Sequence, residues 1–410
     1  MTDTLSGHHA EGEPASVADG YDLFGADYRD DPVPTWRAVR GGACPVAHTD
    51  KWGGSYMLAR YDDIRDAARA PERFSSRAVE VAGPLEAAGG LYLPPLTSDP
   101  PEHKPHRDVL MPFFMPKRTA AYEDFIRAEA RGLAEKIAAA GTGDAVSDYA
   151  QHLTLAVLTR MLGVPPGGRF AEWMVRMIRV GPRDQAVRAE AVREILGYLE
   201  AQLTDRIEHP TNGDDLLSYL VDAEVDGVAL SRKQKLGSAF LVLIAGADTT
   251  WSAIGASIWH LATHSGDRKR ILADPKLMDT AAEEFLRAYA PVTVGRIVTE
   301  DTDLHGCPVA HGQRVILPFG AANRDPEVFD QPDDVVIDRR RNRHLTFGTG
   351  AHRCLGSNLA RLELRIALQE WLRVMPHFRL TNPDAIEWSG GQIRGPEQVT
   401  IVVESAEAAQ

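Results

Sequence analysis

Three groupings in this chain have residue types and spacings that can do chemistry: a cysteine in a glycine-rich run, an acid beside an alcohol in an apolar segment, and several histidine–arginine clusters. Cys354 lies in Phe347-Gly348-Thr349-Gly350-Ala351-His352-Arg353-Cys354-Leu355-Gly356. Glycines let a backbone turn and approach its neighbours where a Cβ would intrude. The apolar spacing of Leu359, Leu362 and Ile366 predicts a helix starting just after the cysteine. A sulfur at a helix N-terminus meets unpaired N–H groups and partial positive charge, which favour a thiolate able to bind iron or act as a nucleophile. An inert cysteine buried in a glycine turn would have the same local sequence.

Asp248 and Thr249 stand in Ala245-Gly246-Ala247-Asp248-Thr249-Thr250, within the most apolar stretch, Gly237 to Ile258, where Asp248 is the sole formal charge. At 3.6 residues per turn, Leu241, Ala245, Asp248, Thr249 and Ser252 share a helical face. An acid–alcohol pair can hold and pass protons in a dry pocket; a hydrogen-bonded core pair would look the same. The stretch is close to the ~20 residues that cross a bilayer, but a central carboxylate favours a buried core helix. His103 and His106 have a spacing that can serve zinc, with no third ligand nearby in sequence. Glu284-Phe285-Leu286-Arg287 sets a carboxylate and a guanidinium three residues apart, a pairing that is usually solvated.

These groups need a scaffold, and 410 residues with 44% hydrophobic and 25% charged side chains can bury a sizeable core. A net charge of −13 disfavours general attachment to nucleic acid or an anionic membrane. The three cysteines, Cys44, Cys307 and Cys354, form no C-x-x-C or zinc-finger spacing, which argues against a disulfide framework and covalent c-type haem. Residues 1–20 are polar and acidic without an apolar run, so they read as a flexible tail containing His8 and His9, with no signal peptide or anchor, on a cytoplasmic protein. Short strands and helices are expected over 21–80, and an apolar lid-like loop over 81–100. The pattern from about 117 to 290 is helical almost throughout, with strands expected again near 296–299 and 314–317.

At the cysteine decapeptide the chain resembles the cytochrome P450 family, matching every fixed position of F-x-x-G-x-x-x-C-x-G, and the resemblance extends over about residues 20–403. It implies a mainly α fold with a smaller β-rich region, forming one triangular domain over 21–410 that encloses haem b. Cys354 would be the axial iron ligand, in a loop shaped by Phe347, Gly348 and Gly356. His103 and Arg107, matching H-x-x-x-R, would meet the haem propionates together with Arg296 and His352. Glu284 and Arg287 match E-x-x-R and would join Arg339 in a buried structural triad. The central helix would widen at its Gly and Thr, with Asp248 and Thr249 delivering the protons that dioxygen cleavage requires. Leu241, Ile244, Ala245, Val292 and Val294 would line a substrate pocket, with Leu91, Tyr92, Leu93 and Leu96 from the lid and Gln392 and Ile393 from the C-terminal region.

The implied activity is insertion of one oxygen atom of O2 into a small to medium apolar organic substrate, by hydroxylation, epoxidation or O-dealkylation. Electrons would come from a separate ferredoxin-type donor with its reductase. That donor would dock on Arg339, Arg340, Arg341, Arg343, Arg353, Arg361 and Arg365, with Lys104, Lys117 and Arg118 nearby. Two other classes use parts of the same set. A haem-based gas sensor needs the cysteine loop but not Asp248-Thr249, and a cysteine- or zinc-dependent hydrolase needs Cys354 or His103 and His106 but no haem.

Overall fold

The computed structural model describes residues 19–83, 91–167, 169–210 and 213–404. All of the expected tail except Asp19 and Gly20 lies outside the described residues, as do His8, His9 and positions 84–90 of the expected lid.

The apolar stretch becomes the centre of the molecule. Arg232–Thr263 is a single helix opened by a capping box, in which Ser231 and Gln234 satisfy each other's end of the first turn. Phe240, Leu243, Trp251, Ile254 and Ile258 along it are almost wholly buried, and each such side chain removed from water contributes about 1.5–3 kcal/mol. It is the one helix among the described residues long and apolar enough to cross a membrane, and it is packed inside the core. Helices Gln151–Leu162, Gln185–Glu208, Leu277–Ala288 and Ser357–Val374 pack around it. Close approach is built in at Gly246, where a Cβ would stand 2.7 Å from Leu158.

The β-rich part is a five-stranded sheet in the order Val46–Thr49, Ser55–Leu58, Arg314–Pro318, Thr293–Val298, Phe74–Ser75. Only the pairing of Arg314–Pro318 with Ser55–Leu58 is parallel. Strand alternation sends Val294 and Arg296 to the same face of Thr293–Val298, towards the internal cavity. A second apolar cluster, including Trp36, Met57, Ile64 and Ile316, fills the space around this sheet.

Among the described residues, strands break the helical reading of 117–290 in two places. Thr142–Asp144 is a strand paired with Thr400–Val403, and Glu224–Val225 forms a small hairpin with Val228–Ala229. Strands of two or three residues carry too few alternations to show a period, and the first is stabilised by a partner near the other end of the chain.

Candidate functional site

Cys354 sits in the wall of an internal cavity of about 380 Å³. Its backbone N–H donates to the Phe347 carbonyl at 2.8 Å, closing a loop in which Gly348 and Gly350 adopt φ of +65° and +72°. Side chains are strained in that region, and at Gly350 a Cβ would also lie 2.9 Å from the Ala68 carbonyl. Gly356 has an ordinary φ of −76°, and the helix Ser357–Val374 starts directly after it. The cysteine is exposed, but to the cavity rather than the outer surface. Burial pushes its thiol pKa up, against a hydrogen bond from the Gly356 backbone and the charges of Arg107, Arg361 and Arg353. The helix start was expected to lower this pKa, but desolvation outweighs it, so forming the thiolate calls for a further cation such as a bound metal.

Four side chains around the cavity retain hydrogen-bonding capacity that the protein does not use. The rings of His103 and His352 lie 4.3 Å apart between centroids, and the Nε2 of each is buried without a partner among the described residues. Arg296 is buried and donates to the Gly295 carbonyl at 2.7 Å. Burial brings its pKa down to about 10, with Asp99 acting in opposition. Arg107 donates to the Arg353 carbonyl at 2.7 Å. Burial, followed by the charges of Arg296, His103 and Arg107, pulls His352 down to about 3; burial and then Arg107 also lower His103. Two guanidinium groups and two neutral imidazoles thus converge with no carboxylate in salt-bridge contact among the described residues, and this donor set fits a group carrying two carboxylates, as haem does. His106 turns elsewhere, towards the Tyr92 hydroxyl at 3.3 Å and the Gln234 amide at 3.4 Å. No group of three His, Cys, Asp or Glu side chains among the described residues is arranged to hold a metal ion.

Behind the cysteine loop, Glu284 and Arg287 are completely buried. Arg287 donates to both Glu284 carboxylate oxygens at 2.8 and 2.9 Å. Arg339 Nε reaches the same oxygens at 3.0 and 3.1 Å, and Asn342 and the Val336 N–H complete the shell. The remaining Arg287 donors are taken by the carbonyls of Asn323, Pro332 and Asp334. Two separate segments, at Asn323 and over 332–342, are thereby tied to one helix beside the loop.

On the central helix, Thr249 lines the cavity and its hydroxyl donates to the Ala245 carbonyl at 2.8 Å. The helix stays α-helical throughout, so the expected widening is absent: the hydroxyl bonds back within the turn without interrupting the α-helical run. Asp248 and Ser252 do not share the cavity face with Leu241, Ala245 and Thr249. Fully buried, Asp248 accepts from Arg179 at 2.7 Å and from Ser252 at 3.2 Å, while its Oδ2 has no partner among the described residues. Arg179 was missed in the sequence reading. Its signal was a lone charge among Met177, Ile178 and Val180, together with the need of a buried carboxylate for a cation.

Leu241, Ile244 and Ala245 from the central helix, Val292 and Val294 from the sheet, Leu91, Leu93 and Leu96 from the lid, and Gln392 and Ile393 all line the cavity, as do Phe347, Gly348 and Gly356. The last pair reaches it because Thr293 N–H bonds the Gln392 carbonyl at 3.0 Å and Val292 bridges to Ile393. Tyr92 is a correction: it is not part of the lining, and its ring packs under Lys233 with its hydroxyl towards His106. A phenol needs a polar outlet that its leucine neighbours do not.

The expected basic face is also thinner than its arginine count. Arg339 is committed to Glu284, Arg361 to Glu283, Arg365 to Asp279, Arg118 to Asp214 and Lys104 to Asp108. Arg340, Arg341, Arg343, Arg353 and Lys117 are exposed and pair with no carboxylate among the described residues, although Arg353 also lines the cavity.

A helical fold around an axial-type cysteine and a propionate-sized donor set defines a haem-thiolate protein, and comparison with known proteins agrees. The Cytochrome P450 family model matches residues 264–387. The chain is 33% identical to the mycinamicin IV hydroxylase/epoxidase of Micromonospora griseorubida, over 85% of this chain and 89% of that one. It is 34% identical to the steroid C26-monooxygenase of Mycobacterium tuberculosis, over 81% and 90%. The crystal structure of cytochrome P450 CYP101C1 superposes with a TM-score of 0.84 at 31% identity, covering 94% of this chain and 97% of that one. The chain belongs to the cytochrome P450 family. It is a haem-dependent monooxygenase that uses O2, an organic substrate and a redox partner.

Proposed function

We propose that this protein binds haem b through Cys354 and hydroxylates, epoxidises or O-dealkylates a small to medium apolar substrate, with electrons from a ferredoxin-type donor and its reductase, in the cytoplasm. The observation that carries the reading is the convergence, on one largely apolar cavity, of Cys354, the partnerless Nε2 atoms of His103 and His352, the guanidinium groups of Arg107 and Arg296, and the Thr249 hydroxyl. When bound, haem supplies the redox chemistry by which O2, two electrons and two protons yield one oxygen atom in the substrate and one in water.

The chain supplies the rest. Arg107 and Arg296 would neutralise the propionates, and His103 and His352 would donate to them. The Glu284, Arg287 and Arg339 cluster fixes the segment that carries Cys354. Thr249 offers a hydroxyl at the cavity surface, and Asp248 stands behind it, paired with Arg179, as the acid of the proposed acid–alcohol pair. Leucine and valine walls exclude water and hold the substrate by apolar burial. Residues 21–410 act as one catalytic domain in this reading.

The reduced carbon-monoxide difference spectrum tests it. Thiolate ligation gives a Soret band shifted to long wavelength, and a colourless protein, or a band at the position of imidazole-ligated haem, rejects the assignment of Cys354.

A further inference from the structure

Most polar groups around the cavity are taken up by the reading above. One cluster away from Cys354 is not: Glu80, Gln185 and Arg188, all in the lining. Glu80 follows the strand Phe74–Ser75, and Gln185 and Arg188 open the helix Gln185–Glu208, so the cluster joins two opposing walls. Arg188 donates to Glu80 Oε1 at 3.2 Å. Glu80 Oε2 is buried and accepts no hydrogen bond from the described residues. Among the described residues the Gln185 amide has a single long contact, 3.5 Å to the Gly181 carbonyl.

Glu80 is held in place by its backbone. Gly295 N–H bonds the Val79 carbonyl at 2.8 Å, and the Glu80 carbonyl lies 2.5 Å from where a Cβ on Gly295 would be. The missing side chain at Gly295 therefore allows Glu80 to sit against the strand that carries Val294 and Arg296, both part of the cavity lining. Its carboxylate also acts electrostatically on the buried Arg314 behind it.

We propose that this cluster is a polar anchor for substrate and that the substrate is a neutral apolar molecule carrying a hydroxyl group. This deepens the monooxygenase reading and rests on it. A hydroxyl donates to the Glu80 carboxylate, whose terminal bond turns to bring its unpaired oxygen to the cavity, and in the same position accepts from Arg188 or Gln185, satisfying both sides of the cluster. A carboxylate would be repelled by Glu80. An ammonium would meet Arg188 and, behind it, Arg314. A ketone can accept from Arg188 but offers no proton to Glu80, so it gains one charge-assisted hydrogen bond fewer than an alcohol. The leucine and valine surface takes the remaining carbon skeleton and leaves a C–H remote from the hydroxyl to face Thr249.

The test uses the haem-loaded full chain and three probes of one shape: cyclododecanol, cyclododecanone and cyclododecane. Dissociation constants are measured by equilibrium dialysis and by titrating the low-to-high-spin change. Wild type is expected to bind the alcohol at least about tenfold more tightly than the ketone, the size of one hydrogen bond to a charged group. Glu80→Ala should bring that ratio close to one while leaving the cyclododecane affinity within about twofold. Glu80→Gln, which preserves shape and one acceptor, should retain a ratio of a few-fold. Equal alcohol and ketone affinities in wild type, or an undiminished ratio in Glu80→Ala, overturn the anchor. A thiolate-type carbonyl spectrum without alcohol preference sinks the anchor alone, whereas loss of that spectrum in wild type sinks the haem-thiolate reading beneath it.

Discussion

The two sides of the cavity are held by different means. Beside the cysteine loop, one buried carboxylate, Glu284, accepts from Arg287, Arg339, Asn342 and the Val336 backbone, and Arg287 bonds three further carbonyls. Opposite it, the lid and the start of Gln185–Glu208 are held by apolar contacts and smaller polar groups, such as Asp99 accepting from Ser75 and Ser76, Leu93 N–H to Thr97 at 2.9 Å and Arg188 to Glu80 at 3.2 Å. A buried charge network fails as a unit when one member is lost, whereas apolar contacts and half-solvated pairs can be exchanged one at a time. The difference teaches how a fold could keep one reaction while its substrate changes: the Glu284 network, with the most hydrogen bonds to one buried carboxylate among the described residues, stands on the side of the cysteine loop.

The comparison breaks most completely at Cys354. Cys354→Ala should abolish thiolate-type spectra and monooxygenase turnover altogether, and retention of both would remove the cysteine side from the chemistry. Next comes Glu284→Ala, which leaves Arg287 and Arg339 without their shared carboxylate and should cost about 3–5 kcal/mol of stability by denaturant unfolding. A loss within the ~0.5 kcal/mol of an ordinary surface change would mean that the network does not support this side.

Legibility in the sequence followed the same division. The cysteine loop, His103, Arg107 and the Glu284–Arg287 pair are short local spacings that survive without knowledge of tertiary structure, and the central helix announced itself by length and apolarity. Arg179 and Glu80 could not be read this way, because their partners Asp248 and Arg188 are far away in sequence and ion pairs across a fold leave no local period. Tyr92 was misplaced for a related reason: periodicity in a loop does not say which side chain points inward. The arginine run was over-read because the acids that neutralise several of its members, Glu283, Asp279 and Asp214, come from other elements.

Thr249 sharpens the comparison from the central helix, where the two sides meet. Thr249→Ala removes one hydroxyl from the cavity and should leave haem binding intact while product formed per electron falls by ~10²-fold, the low end of what a positioned proton donor contributes. The missing reducing equivalents should appear as hydrogen peroxide, and unchanged product per electron would refute the role. A smaller effect is expected at the edge of the cysteine side, where Glu283 joins Arg361 and His344. Burial opposes its ionisation, but hydrogen bonds from His344 and Arg361 prevail and hold its pKa at about 2. A depressed carboxylate stabilises the fold above its unfolded pKa near 4.5 and loses that contribution as pH falls through about 2. Discounted for its partial exposure, the contribution is about 1–2 kcal/mol. Glu283→Gln should therefore be less stable than wild type at pH 7 and converge with it near pH 2, and an equal gap at both pH values would contradict the assignment.

The smallest effect lies on the outer surface of the cysteine side. Five members of the expected basic patch are committed to carboxylates, and Arg340, Arg341, Arg343 and Arg353 remain exposed. An acidic electron donor would be attracted to this local excess despite a net charge of −13 over the whole chain, because solvent ions screen charges farther away than the Debye length of about 8 Å at physiological salt. The attraction acts on encounter rather than on the electron transfer itself, so the second-order reduction rate should fall roughly tenfold from low to high ionic strength while the first-order rate at saturation stays constant. Replacing Arg340 and Arg341 together by Gln should flatten that salt dependence without altering the substrate-induced spin change. A salt-independent reduction rate in wild type would remove docking from this face and leave the cysteine side with only its internal role of holding the loop.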